Sequence, residues 1–174
     1  MRFRQVTLPR RIPDVPSTVR NVSADHGSAR LLTWSSDDGR RLETVRIVVT
    51  DRGLRASGYL VVAGKRSYGA SYSVLCDAEG RTRRLTVQSD SAATERGVSL
   101  TRTPGGPWLD GAGKSPPMPE LDLAVGPIEH HYRTIAVTEG GARIHHRGPA
   151  GDHDITVDRD GFVIDLPHLS YRLR

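Results

Sequence analysis

Between residues 42 and 88, apolar side chains recur at every second position across three consecutive runs, and this alternation limits the fold more than any other feature. In LETVRIVVT, residues Val45, Ile47 and Val49 share one face. In LRASGYLVV the sharing set is Leu54, Ala56, Gly58, Leu60 and Val62. In RSYGASYSVLC it is Tyr68, Ala70, Tyr72, Val74 and Cys76, opposite Ser67, Gly69, Ser71 and Ser73. A period of two puts successive side chains on opposite faces of a strand, so each run is a strand with one buried face. Asp51-Arg52-Gly53, Gly64-Lys65 and Asp77-Ala78-Glu79-Gly80 supply the reversals, which makes the segment an antiparallel meander. The runs RTRRLTVQ, RGVSLTRT, PELDLAV, HHYRTIAV, DHDITVD, FVIDL and LSYRLR extend the pattern to about ten strands. The expected class is all-β, with at most a turn or two of helix and no fixed-period repeat. TPGGPWLDGAGK reads as a long loop that places Trp108 at a rim, and the pair His145-His146 reads as surface or turn residues.

A chain of 174 residues supports one core. With 36% hydrophobic and 5% aromatic residues, that core rests on Val, Leu, Ile and Ala, leaving Trp34 and Trp108 for special places. Residues 1–29 carry Pro9, Pro13 and Pro16 among charges with no hydrophobic period, so they read as an extended basic leader before a domain at 30–174. The single cysteine, Cys76, excludes an internal disulfide framework and a cysteine-rich zinc site and suits a reducing compartment. No apolar stretch resembles a secretory signal or the ~20 residues of a membrane helix, so the expected location is the cytoplasm, without stable membrane insertion.

The ionisable residues decide among function classes. The net charge of +5 admits anionic partners, yet the 20 acidic residues are interleaved with the basic ones. The tracts RFRQVTLPRR and RTRR could meet phosphates, but no regular basic stripe flanks Tyr59, Tyr68 or Tyr72, which argues against nucleic acid. A phosphate loop fails because Trp108 stands where GAGKS would need its first glycine. Glu129-His130-His131, His145-His146 and Asp152-His153-Asp154 suggest metal ligation. Adjacent histidines on a strand point to opposite faces, though, so at most one from each pair could converge with His153, and neither a metal nor a cofactor is expected. No serine stands in a Gly-x-Ser-x-Gly elbow, and Cys76 lies on the apolar parity as a small hydrophobe. Arg83, by contrast, shares parity with Leu85 and Val87, and Arg133 with His131, Ile135 and Val137. A charge on an apolar face needs a partner, such as Asp110 or Asp122, or a wet cavity. Two strands with this device suggest an apolar cavity with arginine anchors.

The residues Tyr72, Cys76-Asp77, Arg81-Thr82-Arg83-Arg84, Trp108-Leu109-Asp110-Gly111, Pro119-Glu120-Leu121-Asp122 and the closing VDRDGFVIDLPHL resemble, in order, the bacterial putative glycolipid-binding family. The resemblance implies a half-barrel of antiparallel strands, or spin domain, similar to the periplasmic lipoprotein carriers, around a pocket for a lipid-like molecule. After Asp122 the chain departs from the family pattern and reaches DITVDRDGFVIDLPHL early, without the tryptophan expected near Ser170 or Tyr171. The combined expectation is a non-enzymatic module that binds a glycolipid or other amphiphile. Its site is expected to comprise Tyr72, Leu85, Arg83, Arg133, Trp108, Asp122 and His131. The alternatives are a hydrolase or isomerase using His131 and Asp122 in the same cavity, and a nucleic-acid-binding module.

Overall fold

A computed structural model describes residues 27–103, 105–110, 129–149 and 151–174. Among the described residues twelve strands follow one another: β1 Ser28–Ser35, β2 Arg41–Thr50, β3 Gly53–Val62, β4 Tyr68–Cys76, β5 Thr82–Ser91, β6 Glu95–Arg102, β7 Trp108–Asp110, β8 His131–Thr138, β9 Gly141–Gly148, β10 Gly151–Asp158, β11 Val163–Leu166 and β12 Ser170–Arg172. There is no helix among the described residues. Every pairing is antiparallel, and the strands form one sheet in the order β7-β6-β5-β4-β3-β2-β1-β12-β11-β10-β9-β8. Two meanders, β1 to β7 and β8 to β12, are thus joined where Trp34 of β1 faces Arg172 of β12. Among the described residues the sheet is open, ending at β7 and β8, and is not closed into a barrel.

The meander of residues 42–88 has the anticipated faces, and its register sets Val45 opposite Gly58, Gly58 opposite Tyr72 and Tyr72 opposite Val87 on one of them. Three strands depart from the sequence reading. Trp108 lies in the short edge strand β7 rather than in a loop, and His145 and His146 lie within β9 rather than in a turn. In β1, Leu32 and Trp34 point inward while Leu31 is exposed on the other face, so the alternation is hidden. The expected strand PELDLAV and most of the leader lie outside the described residues.

Two of the reversals are built alike, each beside a register shift of one residue in the hairpin it closes. In Asp77–Gly80 and Asp158–Gly161 the glycine N–H donates to the aspartate carbonyl at 2.9 Å, with the glycines at φ 75° and 84°. Only glycine takes that left-handed conformation without cost, and the aspartate side chain accepts further amides of the same turn.

The apolar residues form two clusters. Val45, Ile47, Ala56, Val74 and Cys76 make the first, flanked by Leu32, Trp34, Tyr72, Leu85 and Phe162. Ile144, Ile155 and Val157 make the second, flanked by Tyr132, Ala142, Val163 and Leu166. Phe162, from the turn after β10, packs on the first cluster, and Trp34 Nε1 donates to the Val163 carbonyl at 3.0 Å across β12. These contacts draw the halves towards each other on one face, as expected for a curved sheet. No large side chain among the described residues is completely buried. One sheet layer leaves its inner face partly open to other molecules.

Candidate functional site

The inner face of β2 to β4 is shaped by one tyrosine. Gly58 has no side chain, so the Tyr72 ring lies over it and spans from β4 to β2, where its hydroxyl donates to Glu43 Oε1. An aromatic residue covering a cross-strand glycine restores the area that glycine fails to bury. Burial, and then the neighbouring Glu43 carboxylate, push the Tyr72 phenol far above its ordinary range, so it stays a neutral donor. Burial also raises the Cys76 thiol, with Thr82 Oγ1 at 3.8 Å opposing the shift, which marks Cys76 as structural rather than nucleophilic.

Two residues along β2 from Glu43, on the same face, the sheet opens into a cleft of about 450 Å³. It forms where the β1–β2 turn, the end of β3, the start of β4 and the β11–β12 turn meet. Val62, Ala63 and Leu169 give it apolar wall, while Arg40, Arg41, Asp37, Tyr68 and His168 bring charge, hydroxyl and ring surface. Arg41 Nη2 also donates to the Leu169 carbonyl at 3.5 Å, tying β2 to the far turn. Asp38 is held below the usual carboxylate range by Ser36 Oγ at 2.6 Å and then by the Arg40 amide. His168 has φ 63°, the one described non-glycine residue in the left-handed region. It follows Pro167 in a turn closed by the Leu169 amide on the Leu166 carbonyl at 3.0 Å. Proline first and a positive φ second match a type II turn, where glycine is the normal second residue.

A row of histidines crosses the inner face of the other half. His130 Nδ1 and His146 Nε2 are 2.7 Å apart, Tyr132 lies 4.9 Å from the His146 ring, and His153 lies opposite His146. Gly148 makes the pair possible, because a Cβ there would stand 2.7 Å from His130 Nδ1. His146 is buried, contrary to its reading as a surface residue, while His145 faces outward between Asp152 and Asp154. No group of three metal-ligating side chains is assembled among the described residues. Burial, followed by the facing His130, holds His146 below the ordinary imidazole range, with Asp152 opposing. A group whose folded pKa is depressed contributes stability that is complete above the unfolded value and is lost as pH falls towards the folded one. Thermal melts should therefore fall as pH drops from ~7 through ~6.5 and below, and His146→Phe should flatten that decline.

The anticipated site residues are only partly assembled. Tyr72 and Leu85 share the inner face beside the first cluster. Arg83 sits at the β4–β5 irregularity and pairs with Asp77 at 2.7 Å, both partly buried, so its charge is satisfied by the turn beside it. Trp108 stands in the edge strand β7 opposite Arg102, whose guanidinium lies 6.0 Å from its ring. His131 and Arg133 face outward and are exposed, because Tyr132 takes the inner position and a register shift between Thr134 and Ala136 inverts the parity beyond it. Asp122 lies outside the described residues. Sequence reasoning missed Glu43 and Arg41, although both share parity with Val45 and Ile47. His168 carried no periodic signal.

Comparison with known proteins adds a lineage. A family model described as "Putative glycolipid-binding" matches residues 31–125 and 117–172. The crystal structure of a DUF1089 family protein from Pseudomonas aeruginosa superposes with a TM-score of 0.54 at 18% identity, over 94% of this chain and 100% of that one. At that identity the likeness concerns the fold alone. No curated protein matches the chain.

Proposed function

We propose, from the chain's membership of the family described as "Putative glycolipid-binding", that it binds an amphiphile whose polar head enters the cleft bounded by Arg40, Arg41, Tyr68 and His168. The carrying observation is the cleft's composition. Apolar wall from Val62, Ala63 and Leu169 meets two arginines, two aspartates and two rings around an open depression of about 450 Å³, the two kinds of surface that an apolar tail and a polar head require. Sugar hydroxyls would find acceptors on Asp37 and donors on Arg40, and a sugar ring would find the flat faces of Tyr68 and His168. An acyl chain would continue past Tyr72 along the inner face, where each buried methylene contributes about 0.8 kcal/mol.

Native mass spectrometry of protein purified without detergent, beside a denatured extract, tests this reading. An adduct that is released on denaturation and partitions as an amphiphile supports it, whereas a water-soluble adduct refutes it. His168 adds a sharper test. His168→Gly relieves a left-handed backbone and should raise stability by about 1 kcal/mol. The same change removes a ring from the cleft and should weaken capture of the extracted amphiphile about tenfold. Stability and affinity moving in opposite directions would mark a residue kept for binding.

A further inference from the structure

The outer face of β1 to β5 is unlike the outer face of the other half. In β9 and β10 the outward charges are paired across strands, Arg147 with Asp152 at 3.3 Å and Arg143 with Asp154 at 3.9 Å, as on an ordinary solvated sheet. On β2, β3 and β5 the outward arginines are Arg46, Arg55 and Arg84. Their cross-strand neighbours are Leu31 and Ser57, Val48 and Leu75, and Leu75 and Thr101. None of the three forms an ion pair among the described residues, and the one outward carboxylate on these five strands is Asp90, at a corner. Between them stand Leu31, Tyr59, Val61, Leu42 and Leu75, exposed by 69, 67, 59, 50 and 45%. Five large apolar side chains on one face of adjacent strands exceed the isolated exposed leucines of a normal surface.

We propose that this face docks on an anionic membrane surface. Arg46, Arg55 and Arg84 would lie at the lipid phosphates, with Leu31, Tyr59 and Val61 entering the headgroup layer. The charge pattern selects this partner. A second copy of the chain would bury six arginines in one interface with only the corner Asp90 of each copy to offset them, which leaves that interface with uncompensated like charge. A nucleic-acid backbone would satisfy the arginines but leave the aliphatic side chains without a counterpart. An anionic bilayer takes both, the cations at its surface potential and the apolar groups below it. The inner face carries the first apolar cluster and the cleft, so docking by the outer face leaves the binding site uncovered.

The test is flotation of the full chain with vesicles of phosphatidylcholine alone and of an equal mixture with phosphatidylglycerol. Binding to the mixed vesicles only, lost as salt rises from about 0.1 to about 1 M, is expected. The triple variant Arg46→Gln, Arg55→Gln, Arg84→Gln should bind about a hundredfold more weakly, since each cation near the surface contributes about a factor of five. Leu31→Ser with Tyr59→Ser should also weaken binding, whereas Arg143→Gln with Arg147→Gln should not. All of these positions are exposed, and unchanged melting confirms the fold. Equal binding to neutral vesicles, no binding to either, or wild-type binding by the triple variant overturns the proposal. So does a concentration-dependent dimer that Leu31→Ser with Tyr59→Ser abolishes, which would give the face to a second copy. Because Arg46, Arg55 and Arg84 face away from the cleft, loss of vesicle binding by the triple variant with unchanged capture of the extracted amphiphile separates the docking face from the cleft.

Discussion

Gly58→Val should lower the stability of the fold by about 3 to 5 kcal/mol, read as a loss of denaturation midpoint at unchanged slope. A Cβ at this position would meet Tyr72 Oη at 2.6 Å and Cε1 at 2.7 Å, inside any van der Waals contact. The valine therefore has to expel the ring. Expulsion costs the apolar area the ring covers and leaves the Glu43 carboxylate, on the partly buried inner face, without its donor. Overpacking alone costs about 1 to 3 kcal/mol, and an orphaned polar group about as much again. The companion Tyr72→Ala removes the clash and the ring together. If the mechanism is correct, adding Tyr72→Ala to Gly58→Val costs much less than Tyr72→Ala alone, a coupling of at least ~1 kcal/mol in a double-mutant cycle. Additive effects would mean that Gly58 matters for its backbone and that the ring is incidental. The pair also bears on function, since Tyr72 borders the route from the cleft to the apolar inner face. Tyr72→Phe keeps the packing while freeing Glu43, and so separates a loss of structure from a loss of binding.

How much of this was readable in the sequence depends on which face each strand shows. From residue 42 to 88 one face is apolar and the other mostly serine, threonine and arginine, so strand and core face follow from parity except at the β4–β5 shift, where Thr82 and not Arg83 lies opposite Cys76. β1 was obscured because Leu31 and Ala29 face outward where a polar residue would have exposed the period. The outward Leu31 now belongs to the proposed docking face. β9 was obscured because a histidine, His146, fills an inner position that an aliphatic residue would have announced. Arg133 was assigned to the inner face by parity with Ile135 and Val137, and the register shift after Thr134 breaks that rule within one strand. The cleft was invisible for a different reason. Its walls come from residues 36–41 and 62–68, which meet through the β2–β3 pairing, and from residues 168–169, which reach them only because β1 pairs with β12. No local pattern encodes that pairing.

Asp158→Ala tests that long-range closure directly and should cost about 2 to 4 kcal/mol. Oδ1 accepts the Asp160 amide at 3.0 Å and the Phe162 amide at 2.9 Å, while Oδ2 accepts Arg172 Nη1 at 2.6 Å. The carboxylate is 14% and the guanidinium 20% exposed, so the pair is screened far less than a surface pair. Burial alone would raise the pKa of Asp158. The Arg172 guanidinium and the Phe162 amide outweigh it and hold the carboxyl below the usual range. The contribution is therefore complete above the unfolded value near 4 and is lost as pH falls through the lower folded value. Asp158→Asn keeps an acceptor for the turn amides but removes the charge, so it should lose roughly half as much and show no titration in that window. The consequence extends beyond the turn, because Phe162 packs on the first apolar cluster and Arg30 pairs with Asp160 from β1. If this turn couples the two meanders, Asp158→Ala should also lower the denaturant slope, since the β8–β12 half would open before the β1–β7 half. An unchanged slope with a lowered midpoint would place the coupling in the β1–β12 pairing and Trp34 instead. In either case Arg172 loses its partner on the strand that leads back to the His168 turn, so the cleft should loosen together with the junction between the halves.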